Sequence, residues 1–302
     1  MDKITDILVI VDPLARDQPA VAKAAALARS LGAAIELLIC DTKRSRPGSD
    51  ALIAGPLDSI LEEMAEPLRD DGIDVTTHAI SGDPLHEAVI AWMRNSPADL
   101  LIKDTHHHSF VRRAFVDHSD WHMIRACPLP LLLAKPTIWD TRPVIMAAVD
   151  PGHAHDPSAG LDHHILDVAA SLAKQLDAPL HAMHAYSTAT IATAAVGGMP
   201  PIVVVSAEAL GAEHALNRSR IRQITDQYGI EDANLHVDAA VPAEYLPRMA
   251  GECHADIVVM GAIARSGLKR VFLGSTAERV LEALPCDVLV VKSPDFAHNL
   301  PF

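Results

Sequence analysis

The sequence predicts an α/β protein built from two tandem doubly wound domains, and three observations carry that reading. The first is length: 302 residues at roughly 150 per domain set a prior of two domains. The second is composition. Hydrophobic residues make up 49% of the chain and aromatics only 4%, so the core must be aliphatic, as in layers of helix on sheet. The third is self-similarity. ILVIVDP (7–13) returns as VIMAAVDP (144–151), PADLLIKDT (97–105) as HADIVVMGA (254–262), and CPLPLLLAKP (127–136) as CDVLVVKSP (286–294). The first match has an offset of 138 and the later ones an offset of 157, read between Lys135 and Lys292. Ordered matches of this kind indicate a duplication. The 19 extra residues of the second copy are expected within 187–211.

Each copy alternates strand and helix patterns. In the first, strands are expected at 6–12, 34–41, 73–79, 99–103 and 129–134. Helical spacing lies between them, as in residues 20–32, where Ala and Leu recur three and four apart and Gly32 supplies a stop. The second copy repeats this with strands at 144–150, 179–186, 234–240, 256–261 and 287–292. These strands are continuous apolar runs, which is what burial on both faces demands, so each sheet should be parallel and five-stranded. The Pro-bounded segment 135–143 separates the copies, giving domains 1–137 and 143–302.

Charge and cysteine usage exclude several classes. With 25 Lys and Arg against 39 Asp and Glu the net charge is −14, which repels a nucleic-acid backbone at long range. The composition is too apolar for a disordered chain. Four dispersed cysteines without a CxxC suit a reducing compartment. The opening residues carry no basic leader, and no run of 18 uncharged apolar residues exists to span a membrane. A cytoplasmic location is expected.

The segment after the fourth strand of the second copy concentrates the chemistry. It reads Gly261-Ala-Ile-Ala264-Arg265-Ser-Gly267-Leu-Lys-Arg-Val-Phe-Leu-Gly274-Ser275-Thr276. Glycines let a main chain approach a ligand with its N–H groups inward. A helix starting near Ser275 would add hydroxyls and the positive end of its dipole. With Arg265, Lys269 and Arg270, these residues describe a polyphosphate cradle. At a switch point between strands one and four, Asp150 and Pro151 would lie beside it, Asp150 placed to accept hydrogen bonds from ribose hydroxyls.

These residues resemble the universal stress protein family in its tandem two-domain form, over nearly the whole chain. Its motif, Gly-x2-Gly-x9-Gly-Ser/Thr, is met by Gly261, Gly274 and Ser275, while Ala264 stands at the second glycine. If that position required positive φ, alanine would cost about 1–2 kcal/mol. The resemblance implies a Rossmann-like fold, two domains packed as a pseudo-dimer through their fifth strands, and ATP or another adenine nucleotide bound in the second domain of a stress-response protein. Homodimerisation of the whole chain is left open. In the first copy Asp104, His107 and Asp117 replace the three glycines, so that domain is expected to have lost nucleotide binding.

Histidine is over-represented, at 17 residues. Five crowd the degenerate loop of the first copy: His106, His107, His108, His118 and His122. His118 and His122 are four apart, a spacing that shares a helix face, and with Asp104 or Asp117 they form a candidate site for zinc or a similar divalent ion; solvated loop histidines are the alternative. His153, His155, His163 and His164 follow the first strand of the second copy. His78, His86, His181, His184, His214, His236 and His254 read as strand-edge or surface residues. No GxSxG, HExxH or intact Walker A motif is present, so no catalytic residue is nominated. A slow nucleotide hydrolase and a ligand-free partner-binding scaffold with a metal-binding first domain remain as alternatives.

Overall fold

The computed structural model describes residues 3–42, 56–105, 118–151, 159–187, 207–262 and 275–293. The first half runs β1 (Asp6–Ile10), α1 (Pro19–Leu31), β2 (Ala34–Asp41), α2 (Leu57–Asp70), β3 (Val75–Ser81), α3 (Leu85–Met93), β4 (Leu100–Asp104), α4 (His118–Ala126) and β5 (Leu131–Ala134). The second half runs β6 (Ile145–Ala148), α5 (Ala159–Gln175), β7 (Leu180–Tyr186), α6 (Ala207–Thr225), β8 (Leu235–Ala239), α7 (Pro242–Glu252), β9 (Ile257–Gly261), α8 (Ser275–Ala283) and β10 (Asp287–Val291), with two short 3-10 turns between α6 and β8. Local chemistry sets the helix limits. Pro19 opens α1, where its fixed φ suits a first turn and its missing N–H loses nothing. Gly32 closes it at φ 67°, donating its N–H to the Ala28 carbonyl. Asp177, at φ 49°, occupies the corresponding left-handed position after α5.

All ten strands form one sheet, in the order β3-β2-β1-β4-β5-β10-β9-β6-β7-β8. Each half is parallel, with strand one between strands two and four, so the strand order reverses at β1/β4 and again at β6/β9. Alternate residues of each strand point to opposite faces. Ile7, Val9 and Val11 join the core under α1, α2, α5 and α6, whereas Leu8 and Ile10 join the core under α3, α4, α7 and α8.

The halves meet where β5 and β10 pair antiparallel, with Leu132 opposite Leu289, Leu131 opposite Val290 and Leu133 opposite Val288. Leu132 and Leu289 are 157 apart, so each pairs with its own counterpart and the junction has the self-complementary form of a two-fold interface. The closing lysines repeat the symmetry. Lys135 Nζ donates to the Leu284 carbonyl and Lys292 Nζ to the Cys127 carbonyl. Both lysines are buried, and burial pushes their pKa values down, that of Lys292 to about 8. One feature breaks the symmetry: Asp287 of β10 is fully buried. Its carboxylate lies 3.1 Å from Lys23 Nζ of α1 and accepts hydrogen bonds from the Lys135 backbone N–H and the Trp139 indole, each at 2.7 Å.

The added length of the second copy is distributed rather than confined to 187–211. Ile7 lies opposite Ile35 and Ile145 opposite Leu180, so the offset has grown from 138 to 145 by the second strands. Leu37 lies opposite Thr77 and Ala182 opposite Leu235, giving 158 at the third strands; Leu100 opposite Ile7 and Ile257 opposite Ile145 return 157 at the fourth. The first increment lengthens α5 at its start. Leu31-Gly32 aligns with Leu176-Asp177, which sets Ala20 of α1 against Ile165, more than a turn inside α5.

Candidate functional site

The crevice at the carboxyl ends of β6 and β9 is built by topology. These strands are parallel neighbours with Ala148 opposite Met260, so Asp150, Gly261 and Ala262 emerge at one level. The Asp150 side chain is 55% exposed, and its backbone N–H donates to Asp162 Oδ1 of α5 at 3.0 Å. Burial pushes the Asp162 carboxyl above the ordinary aspartate range. Behind Asp150 stands His184, on the α5 face of β7 and only 1% exposed. Its Nδ1 lies 3.1 Å from the Val149 carbonyl and 3.7 Å from Asp150 Oδ1. Its Nε2 is buried and meets no hydrogen-bond partner among the described residues. Tyr186 and His214 continue the same wall, with the phenol oxygen 3.3 Å from His214 Nδ1.

Gly261 has a packing reason of its own. A Cβ there would lie 2.6 Å from Leu161 Cδ2 and 3.1 Å from Ile165 Cδ1, so the glycine admits the first turns of α5 over the end of β9. The first half solves the same junction differently. Asp104, the counterpart of Gly261, is 3% exposed and its Oδ1 accepts a 2.5 Å hydrogen bond from the Ala20 N–H in the first turn of α1. Burial raises the Asp104 pKa to about 6. Asp12 is also engaged locally: its carboxylate accepts the Leu14 N–H at 2.8 Å, an Asx turn after β1.

Of the residues singled out from sequence, Asp150, Pro151 and Gly261 are described. Ser275 and Thr276 open α8. Ala264, Arg265, Gly267 and Gly274 lie outside the described residues, as do His106, His107 and His108. His118 opens α4, and His122 lies one turn on, its ring stacked on that of His86 with centroids 4.7 Å apart.

Three histidines read from sequence as edge or surface residues do more than that. His184 is the buried ring behind Asp150. His181 Nδ1 lies 3.0 Å from His236 Nε2, and Cys253 Sγ lies 3.5 Å from the same His236 nitrogen. The available signal was the alternation His181-Ala-Met-His184, which places the two imidazoles on opposite faces of β7.

Comparison with known proteins agrees with this architecture. The sequence model described as the Universal stress protein family matches residues 3–135 and 145–292. The chain is 28% identical to Universal stress protein E of Escherichia coli K12, covering 96% of this chain and 94% of that protein. It is 26% identical to Universal stress protein E of Photorhabdus laumondii, covering 98% and 97%. Among solved structures, a chain from Pseudomonas aeruginosa UCBPP-PA14 assigned to the universal stress proteins superposes with a TM-score of 0.78, at 28% identity over 98% of this chain and 96% of that one. Two matched repeats, each wound 3-2-1-4-5 and joined through their fifth strands, leave one assignment: the chain belongs to the universal stress protein family.

Proposed function

We propose that this is a stress-response binding protein whose second half holds ATP or a related phosphate-bearing ligand in the β6/β9 crevice, while the first half has given up that role. The observation that carries the reading is exposed Asp150 beside the Nδ1 of His184, whose buried Nε2 meets no partner among the described residues, at a strand-order reversal. Buried polar groups in folded proteins are satisfied as a rule, and crevices at such reversals are where α/β sheets take ligands. Asp150 would accept ribose hydroxyls. Gly267, Gly274, Ser275, Thr276 and Arg265, on the connection from β9 to α8, would line the phosphates, with Ala264 narrowing their approach. In the first half the helix start that faces the strand ends is already occupied by Asp104.

The reading is tested by calorimetric titration with ATP, ADP and AMP. One nucleotide should bind per chain, and at 100 times its dissociation constant it should add about 2.7 kcal/mol to unfolding stability. Asp150→Ala should weaken binding about tenfold or more, the worth of a hydrogen bond to a charged group, while Asp12→Ala leaves it intact. Equal binding by the Asp150→Ala protein and the parent would overturn the proposal.

A further inference from the structure

We infer that His181, His236 and Cys253 form a zinc site on the second half, at the amino ends of β7 and β8 and so at the opposite end of the sheet from the nucleotide crevice. His181 and His236 are the second residues of their strands, and Cys253 follows the last turn of α7. All three are partly buried, and their ligand atoms lie within 4.8 Å of one another. A tetrahedral ion with Zn–N near 2.05 Å and Zn–S near 2.3 Å separates its nitrogens by about 3.3 Å and nitrogen from sulfur by about 3.5 Å. The observed separations are 3.0 Å for the imidazole nitrogens and 3.5 Å from Cys253 Sγ to His236 Nε2. Those two separations lie within a few tenths of an ångström of the tetrahedral values, and the third, between His181 and Cys253, is no more than 4.8 Å. Glu252, the neighbour of Cys253, is held by Arg248 at 3.0 Å.

The first half shows what these positions do without a metal. Glu36 and His181 are 145 apart, the offset of the second strands; His78 and His236 are 158 apart, that of the third; Ser96 and Cys253 are 157 apart, that of the fourth. The same three places therefore hold Glu36, His78 and Ser96. There the network closes on itself: Glu36 accepts the Trp92 indole N–H at 2.7 Å and the Ser96 hydroxyl, with His78 Nε2 3.6 Å away. In the second half carboxylate has become imidazole and hydroxyl has become thiol, both moves toward the ligands that zinc prefers. No carboxylate acceptor remains among the three, and two imidazoles face one thiol. Among the described residues no fourth His, Cys, Asp or Glu joins the three, so the ion would carry water or a small exchangeable ligand there.

Cobalt(II) reports on such a site directly, and the full chain is the sample. Titration should saturate at one equivalent, with a thiolate-to-cobalt charge-transfer band in the near ultraviolet and intense visible bands of a tetrahedral ion, both abolished by zinc. Cys253→Ser should remove the charge-transfer band, and His181→Asn or His236→Asn should lower affinity at least tenfold, with the circular dichroism of the metal-free proteins unchanged. In a chain carrying Cys253→Ser, the pair Glu36→His and Ser96→Cys should restore the charge-transfer band from the first half. The inference is overturned by absence of the band in the parent, by its survival in Cys253→Ser, or by its loss when His106, His107 and His108 are replaced instead.

Discussion

The ends of β4 and β9 occupy one place in the repeated fold and are finished in opposite ways. At Asp104 a buried carboxylate reaches the first free amide of α1 and substitutes for the missing preceding turn. At Gly261 the side chain is absent because α5 runs further and lays Leu161 and Ile165 across the strand end. Helix length and strand-end residue thus changed together. A glycine that reads in sequence as a phosphate contact is also required by aliphatic packing. The crevice on the Gly261 side keeps an exposed aspartate and an imidazole whose Nε2 meets no partner among the described residues; on the Asp104 side Asp12 and one oxygen of Asp104 are tied to backbone N–H groups, while Asp104 Oδ2 meets no partner among the described residues.

The comparison can be broken most severely at the junction between the halves. Asp287→Ala would leave Lys23 buried without its partner and strip acceptors from the Lys135 N–H and the Trp139 indole. Removing one member of a buried pair costs about 3–5 kcal/mol, to be read as a fall in denaturant midpoint. Burial raises the Asp287 pKa and lowers that of Lys23, so desolvation outweighs their attraction. A double replacement, Lys23→Met with Asp287→Leu, should therefore recover the part of the loss due to the unpaired charge, leaving the part due to the two stripped donors.

Asp104 offers the next largest effect. Its folded pKa, raised to about 6, exceeds the ordinary aspartate value, so the folded state binds the proton more tightly than the unfolded one. Stability should then be undiminished below the unfolded pKa and fall as pH rises from about 4 to about 6, by up to about 3 kcal/mol. Asp287, raised in the same direction, adds to this slope. Asp104→Asn keeps an acceptor for the Ala20 N–H and should flatten its share of the profile in chemical denaturation at stepped pH. An unchanged profile would show that the carboxylate is solvated.

Gly261→Ala should cost about 1–3 kcal/mol from overpacking against Leu161. Leu161→Ala in the same chain should reverse part of that loss, a coupling measurable by a double-mutant cycle. The smallest effect belongs to the exposed pair Arg125–Glu278 across the junction, 3.3 Å apart and more than a third exposed on both sides. Arg125→Ala should lower stability by less than about 1 kcal/mol and by less still in high salt.

The sheet was readable in the sequence because its strands are short apolar runs closed by repeated signals. The second strand matches its expected bounds at 34–41, and the others differ by one or two residues at one or both ends. The fifth-strand junction was implied by the family resemblance rather than read from the residues themselves. The Asp104 cap was not readable, since it joins residues 84 apart through a helix whose start shifts between the copies. The correspondence of His181 with Glu36 was hidden for a related reason. At the constant offset of 157, His181 falls on Ala24 and His236 on Ala79, and the triads align only when strand register supplies the offsets of 145 and 158. Periodicity shows which residues face a core; it does not show which turn of which helix arrives over them.

The junction of β5 and β10 has a further consequence. Ten residues connect Ala134 to Ile145, so the two halves encounter each other at the high effective concentration of a short tether. Association between separate copies must be strong enough to survive dilution, and any substitution in such a pair appears on both sides at once. Here neither condition applies. Pro130 holds the position equivalent to Asp287 in the first half, and Lys23 answers Asp287 from one side only. Covalent continuity removes concentration from the equilibrium and symmetry from the mutations. One half is then free to lose a ligand, and the other to gain one, without the pair coming apart.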